Sequence, residues 1–247
     1  MKKYFTAFTM TQSMFCSLPF PCKNWDEKAR PYMLLFLPVV GLEIGLVWVL
    51  VNELLHYINI PNMVYGLIMC VIPYLMSGFI HLDGFLDVTD AISSWKTLEQ
   101  RRVILKDSNV GAFAVIWCVV LILSNFSLFS SAPERANGFC LLFVPVISRC
   151  CSALAVMNLK PMSTSQYANS LKYPKWHSVF LGLFVCICVT VSFVISGKYG
   201  FVLAGGLVGY SIALLRSYRL LEGMNGDISG FCLTISELCA VIVFVLI

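Results

Sequence analysis

The sequence predicts an all-α, polytopic integral membrane bundle of about seven transmembrane helices, with six to eight bracketing that count. Three observations carry the prediction. Of 247 residues, 59% are hydrophobic and 12% charged, against about 25% charged in a soluble domain. The apolar residues gather into runs long enough to cross a bilayer core, roughly 17–25 residues each. Nearly all of the charge lies between those runs.

In order, the chain opens with Lys2 and Lys3 ahead of a partly apolar stretch. Thr9, Thr11, Gln12 and Ser13 interrupt it and no small-x-small cleavage site follows, which speaks against a removed signal. The stretch reads as an interfacial helix ending at Pro19 and Pro21. Apolar runs follow near 33–55, 62–80, 110–131, 137–157, 178–196, 199–217 and 230–247, each read as one unbroken span. No internal repeat or linker divides the chain, so a single membrane-embedded domain is expected over 1–247. Most of the 11 cysteines lie inside the apolar runs, without the paired spacing and histidines of a zinc or redox site. They read as buried free thiols in a reducing compartment.

Of the 17 basic residues, all but Arg135, Arg149 and Lys198 fall in the N-terminal stretch or in the loops after the second, fourth and sixth spans. The positive-inside rule therefore places the N-terminus and those loops in the cytoplasm and the C-terminus outside, in a cytoplasmic (inner) membrane. The net charge of +4 reports topology, and no nucleic-acid partner is expected; the lipid bilayer is. Oligomeric state is left open. The same assignment brings the segments 81–109 and 220–229 to one membrane face, where the polar chemistry collects.

Asp83, Asp87 and Asp90 are spaced four and three residues apart, which stacks three carboxylates along one helical face. Directly after an apolar run, that repulsion calls for compensation, and a hard divalent cation with oxygen ligands fits. The competing reading is a solvated acidic helix end; Gly84 and the flanking apolar residues weigh against it. A basic stretch, Arg101, Arg102 and Lys106, leads into Asp107, Ser108 and Gly111. Acids that hold a cation beside bases that hold phosphate suit phosphoryl transfer, although Arg101 and Arg102 also fit an ordinary positive-inside loop. Gly223 to Asp227, then Gly230, sits at the mouth of the last span, where glycine lets backbone approach a ligand and Asp227 adds a carboxylate. Glu43, Arg149 and Glu237 lie within spans, roughly 10–15 Å deep. They are expected to face the interior, with Arg149 paired to Glu237 or Glu43 or reaching substrate phosphate. His81, two residues before Asp83, is placed either to donate a hydrogen bond to a carboxylate or phosphate or to serve structure.

With these blocks in hand, the chain resembles the cobalamin-5′-phosphate synthase (adenosylcobinamide-GDP ribazoletransferase) family nearly end to end. The resemblance runs through Ser17-Leu18-Pro19-Phe20-Pro21, Phe36-Leu37-Pro38-Val39-Val40-Gly41, Gly78 to Gly84 with Asp87 and Asp90, Lys106-Asp107-Ser108 with Gly111, Ser148-Arg149, and Gly226-Asp227 with Gly230 and Glu237. It implies a magnesium-dependent membrane enzyme that joins adenosylcobinamide-GDP to α-ribazole or its 5′-phosphate and releases GMP. On that footing Asp83, Asp87, Asp90 and Asp227 hold Mg²⁺. Asp83, Asp87, Asp90 and Asp107 carry the chemistry, and His81, Gly84, Lys106, Ser108, Gly111, Arg149, Gly226 and Glu237 bind substrate. Typical members carry arginine at Asn109, threonine at Ala112, glycine at Ala114 and glutamate at Thr234, and the stretch 160–174 departs from their glycine-centred pattern. The rival readings are a CDP-alcohol-type phosphotransferase, whose usual Asp-Gly-x-x-Ala-Arg arrangement is missing, and a transporter, which would show paired repeats and broken spans.

Overall fold

A computed structural model of the protein describes residues 2–20, 25–132, 137–162 and 173–247. Its helices are α1 (Lys2–Phe15), α2 (Leu37–Tyr57), α3 (Asn62–Met76), α4 (Ile80–Ser93), α5 (Leu98–Ile104), α6 (Ala112–Ser130), α7 (Val144–Asn158), α8 (Lys175–Ser196), α9 (Phe201–Leu221) and α10 (Gly226–Leu246). Their boundaries follow local chemistry. Proline opens α2 and α7 at positions whose N–H groups have no helical partner. Thr97 and Gln100 close a capping box at the start of α5, and the Asn225 side chain accepts from the Ile228 N–H at the start of α10.

Helix α10 is the centre of the bundle, packed on α9, α4 and α7. Without an apolar driving force in lipid, helices associate where small residues let backbones approach. Gly205 and Gly209 of α9 do this against Val243 and Cys239 of α10, and Gly41 and Gly45 of α2 against the Pro145 and Leu142 carbonyls. Described cysteines form no disulfide, in keeping with their apolar surroundings.

Among the described residues, five helical stretches are long and apolar enough to cross a membrane, six if the bent pair α3–α4 counts as one. That count falls short of the expected seven, largely because 175–221 registers as one stretch of 47 residues. The stretch is interrupted at Gly197, with φ +58°, and it doubles back. Ser178 near its start bonds Asn158 at the end of α7, and Met224 just past its end bonds Lys160 and Met162 in the segment that follows α7.

The expectation of unbroken spans is corrected at 62–80. Helix α3 stops at Met76, and α4 departs from it at 93°. Pro73 removes one backbone donor, and Gly78 and Phe79 take left-handed conformations at φ +60° and +61°. For Phe79 that costs about 1–2 kcal/mol. Helix ends freed inside a membrane protein persist only where their backbone groups find partners. Here the Ser17 N–H, just beyond α1, donates to the Met76 carbonyl at 2.8 Å. The aspartates consequently ride on a helix packed into the bundle, not in an 81–109 surface loop.

Helix α1 is docked on the protein. Ala7, Thr9, Met10, Thr11 and Gln12 are buried, Thr11 Oγ1 donates to the Met33 carbonyl at 3.0 Å, and Gln12 Nε2 donates to Glu43. The interfacial helix expected from the sequence is thus a wall of the bundle. The second of its expected end points, Pro21, lies outside the described residues, as do Arg135 and most of 160–174.

Candidate active site

Helices α4 and α10 run antiparallel at the closest approach their sequences permit. A Cβ on Gly84 would lie 2.8 Å from the Asp227 carbonyl oxygen and 2.9 Å from its Cα, and one on Gly230 would lie 3.1 Å from the His81 carbonyl oxygen. Phe85 stacks on Phe231, and Thr234 Oγ1 donates to the His81 carbonyl at 3.4 Å. Glycine at residue 84 is what brings the acidic face of α4 against the N-terminus of α10. Gly84→Ala should force these helices apart, costing about 1–3 kcal/mol as overpacking does, with turnover falling in parallel. Thermal unfolding in detergent checks this, with Gly182→Ala, where nothing lies within 4 Å of the added methyl, as the unaffected control.

A cavity of ≈ 100 Å³ lies where α4, α7, α10 and the end of α1 meet; Phe15, His81, Asp83, Arg149, Gly226 and Asp227 line it. Its donors are complementary. Gly226 and Asp227 are the first residues of α10, where orphan N–H groups and the helix dipole favour an anion. Arg149 is 1% exposed; its Nη1 donates to Glu237 Oε1 at 2.7 Å and to the Pro145 carbonyl at 3.2 Å. Its Nε is buried without a partner, as is His81 Nε2, while the His81 ring lies parallel to that of Phe15. Buried donors without partners are costly unless a ligand meets them.

The structure therefore brings together His81, Asp83, Arg149, Gly226 and Asp227, with Gly84 at the helix contact behind them and Glu237 beneath Arg149. Of the two expected partners for Arg149, Glu237 is the one found; Ser148 Oγ also donates to its Oε1 at 3.0 Å. Asp87 feels the charges of Asp83, Asp227 and Asp90 but does not line the cavity, and the Asp90 carboxylate packs on Gly111 at the start of α6. Lys106, Asp107 and Ser108 lie exposed on the turn before α6. The Asp107 Oδ1 accepts from the Asn109 N–H and Nδ2 at 3.0 and 2.7 Å, and these bonds hold its carboxyl below the usual carboxylate range. None of the three lines the cavity. Arg102 donates to the Leu221 and Glu222 carbonyls at 3.0 Å, and Arg101 to the Leu220 carbonyl. Both arginines thus cap the C-terminus of α9, which is the structural one of their two readings.

Sequence reasoning missed Met14, Phe15, Ser152 and Ser229 as lining residues. Nothing in the uncharged stretch of α1 from Tyr4 to Phe15 marks it as a cavity wall, though the Ser17-Leu18-Pro19 block beside it was a signal. The donor set of the four aspartates is all oxygen and suits a hard cation. Among the described residues, however, no three His, Cys, Asp or Glu side chains converge closely enough to hold a metal unaided.

The model of the cobalamin-5-phosphate synthase family matches residues 7–245. An adenosylcobinamide-GDP ribazoletransferase of Clostridium perfringens is 34% identical over 247 residues, covering 98% of each chain. The enzyme of the same name from Clostridium botulinum is 32% identical over 243 residues, covering 96% of each. That from Lachnoclostridium phytofermentans is 31% identical over 249 residues, covering 96% of this chain and 92% of its own. No solved structure matches the chain.

Proposed function

The chain belongs to the cobalamin-5-phosphate synthase family, a membrane transferase of cobalamin biosynthesis, and on that premise we propose that it carries out the adenosylcobinamide-GDP ribazoletransferase reaction in the cavity between α4, α7 and α10. A hydroxyl of α-ribazole, or of its 5′-phosphate, attacks the corrinoid-bearing phosphorus of adenosylcobinamide-GDP. One P–O bond forms, the P–O bond to GMP breaks, and the hydroxyl proton passes to a carboxylate. Asp83 and Asp227 are the two carboxylates on the cavity lining able to receive it. The observation that carries this reading is the pairing, on one small cavity, of those acids with anion-seeking groups: Arg149, His81 and the N-terminus of α10.

Magnesium is part of the proposal. Bound together with the diphosphate it would supply charge neutralisation at the phosphate oxygens; Asp83 and Asp227, which line the cavity, would hold it, with Asp87 and Asp90 adding negative charge from the same face of α4. Because no closed protein shell forms among the described residues, such a cation would need phosphate or water ligands of its own, as magnesium commonly takes. The orientation is part of it too: the site faces the cytoplasm of a bacterial inner membrane, as the basic loops indicate.

The break between α3 and α4 is a feature that transporters share, but the described residues hold one such bent pair, without the second that an inverted repeat supplies. The break here sets the pitch of the aspartate helix. The test is release of GMP from adenosylcobinamide-GDP by proteoliposomes containing only this protein and supplied with α-ribazole. Release is expected, to be lost on chelation and restored by Mg²⁺. Release that survives chelation would remove the metal. CMP release from CDP-diacylglycerol in its place would establish the phospholipid rival.

A further inference from the structure

Helix α4 has a second working face. Asp83, Asp87 and Asp90 run along one side; Phe85, Thr89 and Ile92, at the same spacing, run along the opposite side. That back face floors a crevice of ≈ 180 Å³, whose lining includes Phe85, Thr89, Trp117, Arg216, Phe231 and Ile235. It is separate from the active-site cavity and shares no lining residue with it.

Three features indicate what fills it. The helices that flank it carry bilayer-facing residues: Ile116 and Val120 on α6, and Ile212 and Leu215 on α9, are exposed large apolar residues within membrane-crossing helices. The depth is interfacial, because Trp117 lies five residues into α6 and Arg216 five residues from the end of α9, about 7.5 Å from either helix end. Tryptophan and arginine at that depth sit where headgroups begin. The charge is unspent, since Arg216 makes no ion pair or hydrogen bond among the described residues. Thr89, only 6% exposed, lines the crevice with its Oγ1 buried and unpartnered. A space of this size lined mostly by aromatic and aliphatic carbon does not suit water, which needs two or more polar partners per molecule.

We propose that this crevice is a binding site for an anionic phospholipid. Arg216 meets the phosphate, Thr89 Oγ1 donates to a headgroup or ester oxygen, and Phe85, Trp117, Phe231 and Ile235 hold the first methylenes of an acyl chain. The lipid supports α4 from behind, so the pitch of the aspartate face depends on the surrounding bilayer.

The test counts bound lipid on the intact protein by native mass spectrometry, after delipidation in detergent and titration with phosphatidylglycerol or phosphatidylcholine. The wild type is expected to retain one phosphatidylglycerol with a preference of about fivefold, the effect of one cation near anionic headgroups. R216Q should lose the preference. Ser93 also lines the crevice, and Ser93→Trp, which fills it while keeping Arg216, should lose the lipid itself. Both variants should melt within a few degrees of wild type. Equal retention of the two lipids by the wild type, or a wild-type preference in either variant, overturns the proposal. So does lipid-independent dimerisation through this face, read as spontaneous disulfide-linked dimers of Trp117→Cys.

Discussion

Asp83→Asn is expected to reduce GMP release by at least about 100-fold, the low end of what a positioned acid–base group contributes, while the protein inserts and melts as wild type. The substitution keeps the shape of the side chain, which is exposed at the cavity and makes no hydrogen bond that folding depends on. What it removes is charge, from a site proposed both to receive a proton and to hold a cation. Asp227→Asn should act similarly and cost little stability, since the amide oxygen of asparagine can still accept from Asn225 Nδ2, which Asp227 Oδ2 does at 2.6 Å. Single-turnover GMP release in proteoliposomes measures both. Wild-type turnover by Asp83→Asn would take the acid out of the site and the proposed chemistry with it.

The largest effect on stability is expected one layer lower. Glu237→Leu strands the Arg149 guanidinium, whose side chain is 1% exposed, without its carboxylate partner. Removing one member of a buried pair costs about 3–5 kcal/mol, far more than replacing both. Arg149→Met with Glu237→Leu should therefore regain most of the lost melting temperature. The double variant separates two roles. If Arg149 serves phosphate through its unpartnered Nε, the restored fold stays inactive; a double variant that is both stable and active would reduce the pair to scaffolding.

Much of this was legible in the sequence because charge is rare in it. The spacing of Asp83, Asp87 and Asp90, and the depth of Arg149 and Glu237, stand out against an apolar background. Arg149 pairs as depth alone suggests, and Gly84 lies at the helix contact beside Asp227. What pattern could not supply is direction. Pro73 and Gly78 sit inside a run whose hydropathy never drops, so 62–80 reads as one span, although the backbone turns through 93° there. Arg101 and Arg102 carry the same charge whether they face phosphate or the carbonyls of α9, and only the fold separates the two. Likewise Asp107 is an acid in a promising motif, yet its oxygen is already engaged by Asn109.

The bond from the Ser17 N–H to the Met76 carbonyl sets an order of assembly. Helix α1 has nearer partners in Met33 and Glu43, but this anchor point at Met76 lies some sixty residues further along the chain than Ser17. Until the third helix has ended at Met76, the residues just beyond α1 lack this seat, and the side of the cavity formed by Met14 and Phe15 is not fixed at that end. Closure of the catalytic chamber is thereby a late event in biogenesis, and a protein shorn of its first sixteen residues would keep every crossing helix while leaving the chamber open on one side.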